Sequence, residues 1–234
     1  MAQAGFGSRR EIEAWINEGR VKLNGQTAKL GDRYTLGDQL TLDGKPVGPG
    51  RLSTKPARVL LYHKPMGEVT TVKDPEGRPT VFDNLPRARG QKWISIGRLD
   101  INTSGLIIFT TDGELANKLM HPSNNFEREY AVRVLGEVKD EVINALLKGV
   151  ELEDGPAKFD RILDAGGTGA NHWYHVILRE GRNREVRRMW ESQGVTVSRL
   201  MRIRFGAISL PSSLKQGKWI ELEEKDVKKL IASL

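Results

Sequence analysis

The sequence contains no cysteine among its 234 residues. This absence excludes disulfides, thiol nucleophiles, iron–sulfur clusters and zinc sites built on cysteine. Long apolar runs are also absent, because no stretch of about 18 apolar residues occurs. The amino terminus, MAQAGFGSRREIEAW, lacks the apolar segment of a secretion signal. We therefore expect a soluble protein of the cytoplasm that does not engage a membrane.

The patterns that hold metals and phosphate cofactors are missing as well. The four histidines lack the paired spacing of zinc ligands. Gly166 and Gly167 are not followed by the Gly-Lys-Ser or Gly-Lys-Thr of a phosphate-binding loop. The segment that starts at Asp100 imitates a calcium loop, but Thr111 occupies the twelfth position, where a glutamate is needed. We predict no metal and no cofactor.

Positive charge, in contrast, is in excess. The 37 lysines and arginines exceed the 30 acidic residues and leave a formal charge of +7. A basic chain of this size is typical of a polyanionic partner, usually a nucleic acid. The charge is uneven, since residues 137–164 carry eight acidic and four basic side chains.

Residues 179–204 hold eight arginines and no lysine. These arginines are Arg179, Arg182, Arg184, Arg187, Arg188, Arg199, Arg202 and Arg204. The guanidinium fork suits phosphates or a buried carboxylate better than an ammonium does. The run therefore indicates anion contact, with a solvated helix face as the alternative.

The chain divides near its first quarter. Residues 46–58, PVGPGRLSTKPAR, contain three prolines and two glycines and show no apolar period. We therefore predict a first domain at 1–48, a linker at 49–57 and a second domain at 58–234. Strand patterns such as RVLLYH, GLIIFTT and EYAVRVL alternate with helical ones such as DEVINALLKG. Short connections favour antiparallel pairing, so the second domain is predicted to be α+β.

Asp100 stands out among the acidic residues. It closes the strand-like segment WISIGRLD and precedes a turn, and Arg98 lies on the same face of the strand. A carboxylate in this position is suited to nucleophilic work. From spacing alone, an aspartate that initiates an Asx turn is the alternative.

The segment GRLDINTSGL at residues 97–106, followed by IIFTTDGELANKLMHP, resembles the central motif of the RsuA/RluB family of ribosomal RNA pseudouridine synthases. The likeness extends over nearly the whole chain, through YHKPMGEVTTVKDPEGRPTVFDNLP, EREYAVRVLG and EGRNREVRRMWESQGVTVSRLMRIRFG. It implies a catalytic domain with a long mixed, mainly antiparallel sheet and a central cleft. It also implies cofactor-free isomerisation of a uridine in 23S rRNA, either in large-subunit RNA or in an assembly intermediate.

The resemblance implies a role for individual residues too. Asp100 matches the essential aspartate, and Arg98 matches the arginine inserted where the target base flips out. Tyr130 matches the tyrosine that stacks on that base, and Arg187 matches the arginine that pairs with the aspartate. Other arginines of the second domain are expected to bind RNA, namely Arg182, Arg184, Arg188, Arg202 and Arg204.

The first domain resembles the alpha-L type RNA-binding module of a small-subunit ribosomal protein, through GSRREIEAWINEGRVKLNGQTAKLGDRYTLGDQL. Arg9 and Arg10 are expected to bind RNA there. The first helix of such a module normally begins some residues earlier, so this one is expected to lack its start.

Two alternatives to this function stay open. One is a non-catalytic factor that binds ribosomal RNA or assists ribosome assembly, and the other is a sister synthase with a different target uridine. In each case we expect a monomer.

Overall fold

The computed structural model describes residues 1–2, 4–52, 56–88, 90–136, 138–168 and 170–232. The chain separates into two compact units. The first contains Met1–Ala57, Arg87–Ile94 and Thr111–Gly113, and the second contains the remaining residues. The division is discontinuous along the chain, so a single boundary near residue 57 does not describe it.

The first unit consists of a helix and a small antiparallel sheet. Its elements are α1 (Arg9–Asn17), β1 (Val21–Leu23), β2 (Gln26–Thr27), β3 (Leu40–Leu42), β4 (Lys45–Val47) and α2 (Pro49–Leu52). The strand order is β2-β1-β3-β4. Ser8 caps α1, because its Oγ accepts the backbone N–H of Glu11 at 3.2 Å. Val21 and Leu40 form the core, against which Trp15 of α1 packs.

The predicted linker at 49–57 is a linker only in part. Pro49–Leu52 form the short helix α2, and Leu52 packs against the core of the first unit. Proline is well suited to the first position of a helix, where its missing N–H is not needed. Residues 53–55 of this segment lie outside the described residues.

The remainder of the chain is dominated by strands. They are β5 (Val59–Lys64), β6 (Ile94–Ile96), β7 (Ser104–Thr110), β8 (Arg128–Leu135), β9 (Val150–Leu152), β10 (Gly155–Ala157), β11 (Arg161–Thr168), β12 (Asn171–Leu178), β13 (Val197–Phe205), β14 (Ile208–Ser209) and β15 (Trp219–Glu221). The helices are α3 (Gly113–Met120), α4 (Asp140–Lys148), α5 (Glu185–Ser192) and α6 (Glu224–Ala232), with a short 3₁₀ helix at Pro122–Asn124.

The large sheet has the order β11-β12-β8-β13-β7-β5-β15, with β14 beside β13 and β6 beside β7. Strands β13 and β7 run parallel, and the other pairs in this order run antiparallel. The predicted α+β fold with a long, mixed and mainly antiparallel sheet is confirmed. Within the described residues, no helix has the length and apolar character needed to span a bilayer.

Strand β7 lies in the middle of the sheet, and all seven of its residues are buried. Its apolar run GLIIFT is the pattern of a strand covered on both faces. Gly105 lies opposite Arg202 in the parallel register. A Cβ at Gly105 would lie 2.2 Å from the Arg202 carbonyl oxygen, so only glycine permits this approach of β7 and β13.

Candidate active site

A cavity of about 560 Å³ opens in the second unit beside the ends of β8 and β13. The residues that line it include Arg98, Asp100, Arg128, Tyr130, Arg184 and Arg202. The cavity therefore brings together a carboxylate, a phenol and several guanidinium groups. All except Arg128 are among the site residues predicted from the sequence.

The backbone on both sides of Asp100 is held by hydrogen bonds. The Thr70 hydroxyl donates to the Leu99 carbonyl at 2.9 Å, and the Gly67 N–H donates to the Ile101 carbonyl at 2.8 Å. The turn after Asp100 closes through the Thr103 N–H, which donates to the backbone carbonyl of Asp100 at 3.0 Å. Within the described part of the chain, the Asp100 carboxylate accepts no hydrogen bond. An Asx turn therefore does not occupy it, and the residue lines the cavity.

A buried lysine ties β5 to the same loop. The Lys64 side chain is fully buried, and its Nζ donates to the carbonyls of Pro65 at 2.9 Å and Thr103 at 2.8 Å. Burial lowers the pKa of Lys64 to about 8, against the opposing attraction of Glu68 and Asp100. The folded-state pKa is thus below the ordinary value of 10.5, so the unfolded chain holds more protons between pH 8 and 10.5. The contribution of Lys64 to stability consequently rises with pH across that window.

Tyr130 and Arg202 lie side by side on adjacent strands. Tyr130 of β8 is opposite Arg202 of β13, and the two residues are 8% and 2% exposed. The Nε of Arg202 donates to the Leu106 carbonyl at 2.8 Å. Its buried Nη2 has no partner among the described residues. A cation with unused donor capacity therefore lies beside the aromatic ring that lines the cavity.

Sequence reasoning missed Arg128. It lies two residues before Tyr130 on β8 and therefore on the same face of the strand. Its Nη1 donates to the carbonyls of Phe126 and Arg179, and its guanidinium carbon lies 5.2 Å from the centre of the Phe205 ring. Burial lowers the pKa of Arg128. The alternation of β8 could have revealed this second cation in the cavity.

The expected pairing of Arg187 with Asp100 is not what the structure shows. The buried Arg187 guanidinium donates from Nη1 to the Val197 carbonyl at 2.9 Å and from Nη2 to the Asn102 carbonyl at 2.8 Å. Burial lowers the pKa of Arg187, which the charge of Arg184 also lowers and that of Asp100 raises. The Arg187 guanidinium thus bonds two backbone carbonyl oxygens, and one of them belongs to Asn102, two residues after Asp100. Arg187 fixes the loop rather than the carboxylate itself.

Most of the arginine run is neutralised within the protein. Arg188 forms a two-point pair with Asp154, with both distances 2.8 Å. Arg182 contacts Asp154 at 3.1 Å and Glu185 at 3.1 Å. Arg204 contacts Glu129 at 2.7 Å and Glu127 at 3.0 Å. The expectation that these three arginines bind RNA overlooked the carboxylates beside them, which a count along the sequence does not bring together.

Other predicted RNA-binding arginines are more available. Arg98 is exposed at the edge of the cavity. Arg184 has a left-handed backbone with φ 48° and only a 3.5 Å contact with Glu191. In the first unit, Arg9 and Arg10 are exposed at the start of α1. Within the described residues, no group of three or more histidines and carboxylates is arranged to hold a metal ion.

Comparison with protein families gives two matches. The family model described as RNA pseudouridylate synthase matches residues 58–192, which contain Asp100, Tyr130 and Arg187. The model described as the S4 domain matches residues 1–40. The two matches fall on the large sheet and on the small amino-terminal sheet, respectively.

Individual proteins extend the match over nearly the whole chain. A Pseudomonas aeruginosa protein described as "Ribosomal large subunit pseudouridine synthase B" is 58% identical over 228 residues, which cover 97% of this chain and 59% of that protein. A protein of the same description from Escherichia coli strain K12 is 58% identical over 225 residues, which cover 95% of this chain and 77% of that protein. This chain thus spans less than two thirds of the length of the Pseudomonas aeruginosa relative.

The fold of this chain is also similar to that of a solved structure. The structure described as "Crystal structure of pseudouridylate synthase" aligns with a TM-score of 0.67 and 25% sequence identity. The alignment covers 98% of this chain and 96% of the other.

Proposed function

The chain belongs to the RNA pseudouridylate synthase family, and we propose that it isomerises a uridine of 23S rRNA, in the large ribosomal subunit, to pseudouridine. One observation carries this proposal: Asp100 and Tyr130 line a single cavity whose walls also carry Arg98, Arg128 and Arg202. The family supplies the reaction class. The relatives' descriptions supply the large-subunit RNA as substrate.

The reaction rearranges the nucleotide without adding or removing a group. The bond from ring N1 to the sugar C1′ breaks, the base turns over, and a bond from C5 to C1′ forms. The proton on C5 leaves, and N1 gains one, so the atoms balance. Asp100 acts as the catalytic carboxylate, because it lines the cavity and its oxygens accept no hydrogen bond among the described residues. It attacks C1′ as N1 leaves and is displaced when C5 bonds to C1′, or it adds to the uracil ring and is expelled after the base has rejoined the sugar, or it removes a sugar proton to give a glycal and returns that proton when C5 bonds to C1′.

Tyr130 has two roles in this scheme. Its ring stacks on the extruded uracil, a contact worth about 1–3 kcal/mol per base. Its oxygen takes the proton from C5 when the ring becomes aromatic again. The Arg202 guanidinium lies opposite Tyr130 on the adjacent strand, and its Nη2 is unused among the described residues, so it can donate a hydrogen bond within the cavity.

The cavity accepts a base only after that base has left the RNA stack. Extrusion costs a few kcal/mol in lost stacking and pairing. Arg98, exposed at the edge of the cavity, fills the space that the base leaves, and Arg184 contacts a phosphate nearby. The two cations thus offset part of the cost of extrusion.

Lys64 and Arg187 are positioning residues. Lys64 bonds the Thr103 carbonyl, and Arg187 bonds the Asn102 carbonyl, so both hold the turn that follows Asp100. A fixed backbone keeps the carboxylate in reacting geometry without an ion pair that would weaken it as a nucleophile. The chain acts as a monomer in the cytoplasm, and its first unit contacts RNA through Arg9 and Arg10.

Two experiments test this function: one uses a bacterial strain from which the gene has been deleted, and the other uses the purified protein. Pseudouridines are mapped in 23S rRNA with and without the gene, and the unmodified RNA is then incubated with the protein. We expect one pseudouridine to disappear in the strain and to return in the test tube. If the chain is a non-catalytic factor that only binds ribosomal RNA, the pseudouridine map stays unchanged, and that result would refute the proposal.

A further inference from the structure

A second cavity, of about 350 Å³, lies at the β11–β12 end of the large sheet. Arg133 of β8 and Trp173 of β12 line it, together with Asn171 and residues 165–168. Because Arg133 and Tyr130 are three residues apart on one strand, they point to opposite faces of the sheet. The second cavity is therefore distinct from the one that holds Asp100. Its volume lies at the small end of the range for ligand sites, about 300–1,000 Å³.

An arginine and a tryptophan form one wall of this cavity. Trp173 lies directly opposite Arg133, whose guanidinium carbon is 5.8 Å from the centre of the indole ring. The Arg133 Nε donates to the Ser198 hydroxyl at 2.9 Å, and that hydroxyl donates to the Arg133 carbonyl at 3.1 Å. These bonds fix the arginine beside the aromatic ring, as in a stacking platform.

The positive charge of this wall is not neutralised. Arg199 lies opposite Arg133 on β13 and is exposed. Across the described ranges of the chain, neither Arg133 nor Arg199 forms an ion pair. In this they differ from Arg188 and Arg204, which face carboxylates. Arg133 at the indole ring and Arg199 on the neighbouring strand, neither of them in an ion pair among the described residues, supply with Trp173 the cations and the aromatic ring that bind single-stranded nucleic acid.

The remainder of the cavity is lined by residues of the β11–β12 hairpin, two of which are glycines. The register of β11 shifts between Asp164 and Gly167, and a Cβ at Gly167 would lie 2.2 Å from the Asn171 carbonyl oxygen. Residues 165–168 are exposed and belong to the edge strand β11, so the outward side of this hairpin is accessible to a base. The nearby Asp164 carboxylate accepts the Gly166 N–H at 2.7 Å and contacts His172 Nε2 at 2.7 Å. The Asp164 carboxylate is therefore bonded to groups of the β11–β12 hairpin itself.

We propose that the cavity at Trp173 binds one unpaired base of the substrate RNA, outside the catalytic cavity. The base stacks on Trp173 and Arg133, and the flanking phosphates contact Arg133 and Arg199. The inference rests on the proposed function only in taking RNA as the substrate. Its role is to hold a single-stranded segment beside the target, which raises affinity without entering the chemistry.

Binding and crosslinking with the full chain test this site. A short fluorescein-labelled oligouridine is titrated against the wild type, Trp173→Ala, Trp173→Phe and the control Trp219→Ala. Trp219 is a matched control, since it is a partly exposed tryptophan of β15 at the other end of the same sheet. An oligomer with 5-iodouridine is then irradiated with the wild type, and the crosslinked peptide is identified by mass spectrometry. Circular dichroism verifies that each variant is folded.

We expect Trp173→Ala to weaken binding by roughly 5- to 100-fold, the range set by the loss of one stacked base. Trp173→Phe keeps most of the affinity, Trp219→Ala keeps all of it, and crosslinks map to Trp173. With ribosomal RNA as substrate, Trp173→Ala raises KM and leaves kcat unchanged.

Three results would overturn the proposal: wild-type affinity in Trp173→Ala, equal losses in Trp173→Ala and Trp219→Ala, or crosslinks that exclude Trp173. A wild-type dimer that Trp173→Ala abolishes, with RNA binding intact, would assign this face to a second copy of the chain instead. Failure of the wild type to form pseudouridine would refute the proposed function. The oligouridine and crosslinking results would still decide whether the Trp173 site binds RNA.

Discussion

Replacement of Gly105 by alanine tests the close approach of the two parallel strands beneath the candidate active site. The backbone φ of Gly105 is +107°, where a side chain costs about 1–2 kcal/mol. The added Cβ would also lie 2.2 Å from the Arg202 carbonyl oxygen, whereas ordinary contacts begin at 3.4 Å. Strands β7 and β13 must therefore separate by roughly 1 Å. This separation breaks the hydrogen bond from Arg202 Nε to the Leu106 carbonyl. A hydrogen bond from a charged donor is worth about 1.5–3 kcal/mol.

These contributions predict that Gly105→Ala lowers the free energy of unfolding by about 4 kcal/mol or more, which is exceptional for one methyl group. Gly194→Ala is the control, because Gly194 also has a positive φ, +73°, but a Cβ there meets nothing within 4 Å. It is expected to cost about 1 kcal/mol from backbone strain alone. Urea denaturation followed by tryptophan fluorescence measures both. A difference between the two variants below about 1 kcal/mol would refute the steric reasoning.

Three further predictions concern charged side chains. Between about pH 8 and 10.5, the free energy of unfolding of the wild type rises by about 3 kcal/mol relative to that of Lys64→Met. The pKa of Lys64 is about 2.5 units lower in the folded state than in the unfolded state, and each unit corresponds to about 1.36 kcal/mol. Urea denaturation at both ends of this pH window measures the rise. Arg187→Lys lowers kcat and costs about 1–3 kcal/mol of stability, because one lysine cannot bond both the Val197 and the Asn102 carbonyl; single-turnover kinetics and urea denaturation measure the two effects. Arg98→Gln reduces the salt slope of RNA binding by about one, whereas Arg188→Gln leaves the slope unchanged, as titrations at several salt concentrations would reveal.

Each of these has an outcome that contradicts it. Stability curves of the wild type and Lys64→Met that stay parallel with pH would show that Lys64 is not a perturbed cation. Wild-type kcat in Arg187→Lys would remove Arg187 from the positioning of the loop. Equal salt slopes for Arg98→Gln and Arg188→Gln would mean that the pairing of Arg188 with Asp154 does not decide which arginines meet RNA.

The secondary structure was largely predictable, because local patterns determine it. The run GLIIFT predicts a strand buried on both faces, and β7 is one. The family resemblance identified Asp100 through the motif around residue 100 and Tyr130 through the segment REYAV, and both residues line one cavity. Their chemical roles stay predictions until they are tested.

The partners of the long charged side chains were less predictable, since they depend on tertiary contacts. The acidic segment 137–164 and the arginine run 179–204 are separate in sequence, but Asp154 of the first pairs with Arg182 and Arg188 of the second. The Arg187 fork, expected to pair with Asp100, bonds the backbone carbonyls of Val197 and Asn102 in the structure, and the pairing with Asp100 stays a prediction. The role of Lys64 was missed, although a lysine that ends an otherwise apolar strand is a visible signal.

The most direct test of the account is the release of tritium from 23S rRNA that carries it on C5 of uridine. The wild type, Asp100→Asn and the control Asp160→Asn are compared after circular dichroism has shown that all three are folded. Asp160 is paired with Arg179 and is absent from the lining of the cavity, so its replacement should leave release intact. We predict release by the wild type and by Asp160→Asn, and none by Asp100→Asn. Release by Asp100→Asn at the wild-type rate would contradict the assignment of Asp100 as the catalytic carboxylate.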